Sequence, residues 1–107
     1  MVNEFLPKEW AHIRWHKIKN IKNEEFSVRG LWEVNVAKRL NDLGIYWIKA
    51  FPISYKSDII RHYTPDFYLP DKQAYIEVKG RYTDKDKNKM KLVKEQHPEI
   101  KIYFLLQ

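Results

Sequence analysis

The stretch YTPDFYLPDKQAYIEVKG, residues 63–80, constrains the fold more than any other part of the chain. Pro70-Asp71-Lys72-Gln73 has the composition of a tight turn, because Pro presets φ and Asp accepts local backbone hydrogen bonds. The residues on either side alternate in the period of two that belongs to strands. The stretch therefore predicts an antiparallel hairpin of one strand over residues 62–69 and another over residues 74–79, ending at Gly80. Residues 84–96 then read as a helix stopped by His97-Pro98. Residues 100–106 read as a buried, apolar strand, so the C-terminal half closes as β-α-β.

The N-terminal half is read more coarsely. Residues 4–20 are expected to form a helix, broken or continuous, with Pro7 near its first turn and Trp10, Ile13 and Ile18 as apolar points. Residues 20–25 are polar and read as a loop. Ser27 is a candidate N-cap for a helix over 31–43, with Gly44 at the left-handed position that often ends one. On a wheel starting at Trp32, the residues Trp32, Val36, Ala37, Leu40 and Leu43 fall in one arc. Beyond Gly44 the period changes to two, and residues 45–55 read as a strand interrupted at Pro52. Residues 56–61 read as a loop. The predicted order is α-α-β-β-β-α-β, a mixed α/β domain spanning residues 1–107, with residues 1–26 as a helical N-terminal extension and 27–107 as the core.

Composition narrows the function. The 107 residues hold 20 Lys+Arg against 14 Asp+Glu, a formal charge of +6. In a small domain that balance favours polyanionic partners, with nucleic acid first. Cysteine is absent, which excludes a disulfide scaffold, a zinc ribbon, an iron–sulfur site and a thiol nucleophile. His12 and His16 lie four apart without the Glu of a metalloprotease helix. No stretch approaches a membrane span and Met1 to Trp10 lacks a signal-peptide core, so a cytoplasmic protein without a membrane partner is expected.

The chemistry concentrates on the 74–79 strand. Alternation puts Tyr75, Glu77 and Lys79 on one face and Ala74, Ile76 and Val78 on the other, which is the core side. A simple solvent-exposed strand gives the same alternation. Asp66, however, alternates with Phe67 and Leu69 and so falls on the Glu77 face, near the open end of the hairpin. Two converging carboxylates repel unless a cation sits between them. A few oxygen ligands, with positions left for water and phosphate, suit Mg²⁺ better than Ca²⁺ or Zn²⁺. Glu33 falls inside the apolar arc of its helix, where a carboxylate needs a partner or a metal. Alternatively it lies at the margin of the arc and snorkels out, or pairs with Lys79.

Pro65-Asp66, ten residues, then Glu77-Val78-Lys79, with Glu33 upstream on a helix, resembles the PD-(D/E)XK nuclease signature. With the charged helix, EQHPEIKI and the last strand, residues 31–106 resemble the phage endonuclease I family of Holliday-junction resolvases. They are also similar to the catalytic domains of PD-(D/E)XK homing endonucleases. The resemblance implies a restriction-endonuclease-like core, a mixed four-stranded sheet flanked by helices. It implies that Asp66 and Glu77 bind Mg²⁺ (or Mn²⁺), that the Val78 carbonyl adds a ligand, and that Glu33 completes the site directly or through water. It further implies that Lys79 orients or activates water and stabilises phosphate charge. A junction-resolving enzyme must cut two strands, which predicts a homodimer acting on branched or double-stranded DNA in recombination, encoded by a phage or mobile element.

DNA contacts are expected from Arg81, Lys85, Lys87, Lys91 and Lys94, with Met90 and Val93 as the buried stripe of that helix; an ordinary solvated helix is the alternative. Arg14, Trp15, His16, Lys17, Lys19 and Lys22 mix bases with aromatics, and Trp10 and Trp15 read as core or dimer contacts. Competing functions are a homing-type or nicking endonuclease and a non-catalytic DNA-binding domain on the same fold.

Overall fold

The computed structural model describes residues 14–106. They fall into two compact units, one ending at Tyr46 and one beginning at Trp47. No helix among the described residues is long and apolar enough to cross a membrane.

In the first unit, β1 (Trp15–Lys19) and β2 (Glu25–Arg29) pair antiparallel, Trp15 opposite Arg29 and Lys19 opposite Glu25. Residues 15–19 are thus a strand and not the end of a helix over 4–20. The rest of that helix, with Trp10 and Ile13, lies outside the described residues. The reason is local and has period two: His16 and Ile18 are half-buried while Trp15, Lys17 and Lys19 are exposed. The turn is organised by Asn20, which is buried. Its Oδ1 accepts from the backbone N–H of Lys22 and of Glu24, both at 3.0 Å, and its Nδ2 donates to Glu24 at 2.9 Å. Asn23 supplies the positive φ of +65° that the reversal needs, a conformation Asn tolerates. Trp15 is 67% exposed, so it is not a core residue.

Helix α1 (Gly30–Asp42) follows β2 without a loop. Ser27 is therefore not its N-cap; it is paired with Lys17 inside β2. Gly30, at φ +80°, makes the sharp exit from the strand, and Arg29 stands at the N-cap with no capping bond from its own side chain. Gly44, at φ +69°, ends the helix as expected. The buried stripe is Val34, Ala37 and Leu40, rotated from the predicted arc, which leaves Trp32 and Leu43 exposed. Asn41 Nδ2 donates to Lys19 O at 2.7 Å and ties the helix to the hairpin.

The second unit contains a four-stranded sheet in the order β3 (Ile48–Lys49), β6 (Phe67–Leu69), β7 (Ala74–Lys79), β8 (Lys101–Leu106). The first two pairings are antiparallel and β7–β8 is parallel, so the sheet is mixed. Helix α2 (Asp84–Gln96) makes the crossover between the parallel strands. A separate two-stranded sheet joins β4 (Ile53–Lys56) to β5 (Ile60–Tyr63).

Two of the predicted strands are therefore each divided. Residues 45–55 split at Pro52, as their own Pro suggested, but β3 and β4 enter different sheets. The strand over 62–69 splits at Thr64–Asp66, because Pro65 has no N–H to donate and is fully buried where the chain changes sheets. The full order is β-β-α-β-β-β-β-β-α-β, replacing α-α-β-β-β-α-β. The last strand is not buried throughout. β8 is an edge of its sheet, with Ile102 buried and Tyr103, Leu105 and Leu106 exposed.

The core of this unit includes Ile53, Tyr55, Tyr63, Met90, Val93 and Ile102, with Tyr75, Tyr82 and Phe104 packed against them. These residues come from the β4–β5 hairpin, α2 and one face of the sheet. Trp47 and Phe67 are both fully buried and meet edge to face at 5.2 Å. The far end of α2 is pinned to β4. Gln96 Oε1 accepts from Lys56 N at 2.6 Å, Gln96 Nε2 donates to Lys56 O at 2.7 Å, and His97 Nε2 donates to Ser54 O at 2.6 Å.

Candidate active site

The β6–β7 hairpin forms as its turn chemistry dictates, with Lys72 N donating to Leu69 O at 3.1 Å and Gln73 at φ +49°. Its register, Phe67 opposite Ile76 and Tyr68 opposite Tyr75, puts Asp66 opposite Glu77 when extended by one residue. The predicted convergence of the two carboxylates on one face is what the backbone builds. Asp66 N donates to Ile76 O at 3.1 Å, and its Oδ2 accepts from Val78 N at 2.7 Å, which fixes the carboxylate at the mouth of the hairpin. Val78 lies between Glu77 and Lys79 and pairs with Leu105 across the parallel ladder.

The Glu77 face is not the solvent face of the sheet. The β7-α2-β8 crossover lays α2 on this side of the sheet, the β4–β5 hairpin packs into the same core, and the Glu77 side chain is only 12% exposed. Burial pushes the Glu77 carboxyl up to about 7, with the nearby Asp66 charge adding to the rise and Lys79 opposing it. Glu77 Oε1 is buried with no hydrogen-bond partner among the described residues. The Tyr63 hydroxyl is in the same position: buried, close enough to Glu77 to interact electrostatically, yet outside ordinary hydrogen-bond geometry. Burial also drives the Tyr63 phenol upward, so it stays neutral.

Lys79 Nζ stands between two carboxylates, 3.6 Å from Glu77 Oε2 and 3.2 Å from Asp86 Oδ1. Asp86 is held in turn by a reciprocal cap at the start of α2. Its Oδ2 accepts from Thr83 N at 3.0 Å and Thr83 Oγ1 at 2.9 Å, while Asp86 N donates to Thr83 Oγ1. The hydrogen bonds from the Thr83 backbone and hydroxyl, then from Lys79, hold the Asp86 carboxyl at about 2. Sequence reading gave Asp86 no part in the site. The Thr83-x-x-Asp86 spacing was the available signal for a cap, but nothing in it told that Lys79 would reach it. Tyr63 was likewise missed.

Glu33 belongs to the first unit, half-buried on the first turn of α1, where one carboxylate oxygen accepts from Arg29 N at 3.3 Å. It thus caps its own helix. Arg81, Lys85, Lys87, Lys91 and Lys94 are all exposed on or just before α2, and Met90 and Val93 form its buried stripe as expected.

Whether this group of residues fits a metal is decided by Glu77. Two opposed carboxylates, one with a buried oxygen lacking a partner, form an all-oxygen donor set that a hard divalent cation would complete. Among the described residues no three His, Cys, Asp or Glu side chains cluster as a metal site, so remaining ligands would have to be backbone, water or substrate oxygens.

The hairpin thus sets two opposed carboxylates and a flanking lysine on a mixed α/β fold. The phage endonuclease I family model matches residues 11–107, and the chain belongs to that family. It is 38% identical over 72 residues to endonuclease I of Escherichia phage T7, covering 65% of this chain and 48% of that protein. It is 40% identical over 72 residues to endodeoxyribonuclease 1 of Enterobacteria phage T3, covering 65% and 47%. In these alignments the chain spans about half the length of either relative. No solved structure matches the chain, so the restriction-endonuclease-like core stays an implication of the resemblance.

Proposed function

We propose that this chain is a Mg²⁺-dependent DNA endonuclease, selective for branched DNA and resolving junctions as a homodimer. The observation that carries the reading is the Asp66–Glu77 pair set across the β6–β7 hairpin, with Lys79 alongside and a buried Glu77 oxygen left without a partner. The names of the phage T7 and T3 relatives, endonuclease I and endodeoxyribonuclease 1, support the DNA-cleaving part of it.

Asp66, Glu77 and the Val78 carbonyl would hold the cation. Bound there, Mg²⁺ would lower the pKa of a water and neutralise phosphoryl charge. The chain's own residues then act as follows. Asp66 is aimed by the Val78 N–H, so its charge needs no reorganisation when substrate arrives. Lys79, anchored by Asp86, presents an ammonium to the oxygens on which negative charge grows. A water oxygen bonds to phosphorus and releases a proton to solvent, the phosphorus–oxygen bond to the leaving sugar breaks, and the leaving oxygen takes up a proton from solvent. Tyr63, the core around it and α2 exclude bulk water from the Glu77 side.

The test is cleavage of a four-way junction, a linear duplex and a single strand, each with Mg²⁺ and with EDTA. Symmetric Mg²⁺-dependent cuts near the branch point are expected. Asp66→Asn and Lys79→Ala should abolish them, and Asp66→Asn keeps an oxygen for the Val78 N–H and so keeps the fold. Cutting of the linear duplex at one site would replace this reading by a homing or nicking enzyme. Metal-independent binding without cleavage would replace it by a DNA-binding module.

A further inference from the structure

One wall of the second unit carries a feature the catalytic residues do not use. Between the β4–β5 hairpin and the first turns of α2 lies an open cleft of about 520 Å³, within the range of ligand-sized sites. Ser57 and Arg61 line it from the hairpin, and Lys85, Asp86, Asn88 and Lys89 from the helix. Resting on the nuclease reading above, we propose that this cleft is a subsite for the DNA backbone, seating phosphates of the strand beyond the one that is cut.

Charge comes first. Three cations from two separate elements line the cleft beside Tyr55 and Leu92. Of the carboxylates, Asp86 lines it with oxygens that already accept from Thr83 and Lys79, and Asp58, outside the lining, pairs with Arg61 at 3.1 Å. Ser57 and Asn88 add neutral donors, so the lining suits phosphodiester oxygens better than an uncharged ligand. Arg61 keeps a donor for the task. Asp58 takes its Nε and Nη2 hydrogens on one oxygen, at 3.3 and 3.1 Å, in a solvent-exposed pair that leaves Nη1 without an acceptor among the described residues of its own hairpin turn.

The cleft also joins the catalytic pair. Lys89 Nζ sits 5.1 Å over the Tyr63 ring and 4.0 Å from Asp86, and its charge is felt at Glu77. Asp86 borders the cleft and holds Lys79. A strand with one phosphate at Glu77 and Lys79 would therefore continue past Lys89 into the cleft. The walls are fixed relative to each other, because Gln96 and His97 bind the far end of α2 to β4. A site held this way loses little freedom when it binds.

The experiment measures junction binding by fluorescence anisotropy in EDTA across a salt series, and cleavage at saturating DNA with Mg²⁺. It compares wild type, Arg61→Ala/Lys85→Ala, and Lys72→Ala on the β6–β7 turn. The double variant should bind roughly tenfold or more weakly, with a salt slope smaller by about two, and cut at saturation within about threefold of wild type. Lys72→Ala should match wild type in all three. If the double variant loses its circular-dichroism melt, the exposed single changes Arg61→Gln and Lys85→Gln carry the same comparison, each with a slope change of about one. Wild-type cleavage with unchanged binding and slope in the variants overturns the subsite and leaves the nuclease reading standing. Lost variant binding when wild type cuts nothing keeps the subsite and overturns the nuclease. A wild type that binds no DNA overturns both.

Discussion

Glu77→Gln should make the metal-free protein more stable at alkaline pH, and the size of the gain follows from where Glu77 sits. Its carboxyl is raised from 4.5 to about 7, chiefly by burial and then by the Asp66 charge. A group raised on folding contributes stability that is complete below the unfolded pKa and is lost as pH rises through the folded one. For Glu77 the loss therefore runs from about pH 4.5 to just above 7. The full shift corresponds to roughly 3 kcal/mol, and partial access of water and counter-ions at the site brings the expected effect to about 2 kcal/mol. A glutamine side chain fills the same space and has no charge to desolvate. Urea melts in EDTA should give a stability difference, Glu77→Gln minus wild type, that grows by about 2 kcal/mol between roughly pH 5 and pH 8.5, or roughly 10 °C in Tm. Saturating Mg²⁺ or Mn²⁺ at about pH 8.5 should stabilise wild type and leave the variant nearly unmoved. A difference that stays flat across that pH range would refute the burial argument. Equal metal stabilisation of both proteins would refute the assignment of Glu77 as a ligand.

Asp86→Asn should lower kcat by about 10- to 100-fold with KM little changed, because Lys79 loses its charged anchor, whereas Thr83→Ala should mainly cost about 1 kcal/mol of stability through the lost cap. Gln96→Ala removes two hydrogen bonds to Lys56 and should lower stability by about 1–2 kcal/mol, read by urea melts. Asn20→Ala leaves the Lys22 and Glu24 N–H groups without their acceptor and should cost about 1–3 kcal/mol in the same melts. Tyr63→Phe removes a buried hydroxyl lacking a partner and should be neutral or slightly stabilising; a large loss of stability would show that the hydroxyl is bonded.

What is local in origin was legible in the order of the residues. The Pro70–Gln73 turn, the strand over 74–79 and the helix over 84–96 each depend on residues within a few positions of one another, and all three stand as read. Because register follows from the turn, so did the pairing of Asp66 with Glu77. Gly44 as a helix end is equally local. Where sequence reading failed, the deciding hydrogen bonds came from elsewhere in the chain or two periods competed. Residues 15–19 fit a helix or a strand until β2 pairs with them, and that pairing also removes Ser27 from the helix. Pro65 marks the division at Thr64–Asp66 locally, but the second sheet that residues 60–63 join depends on β4.

The electrostatics of the site came from tertiary packing alone. Alternation placed Glu77 on the face opposite the core side, and a solvent-exposed strand would have given the same pattern. The parallel crossover then brought α2 over that face and the β4–β5 hairpin packed beside it, and this is why Glu77 is buried, why Tyr63 lies near it and why Lys79 meets Asp86. A carboxylate's pKa and a lysine's partner depend on what lies within a few ångströms in space. Residue spacing along a strand fixes one face at a time and carries no information about what is laid upon it.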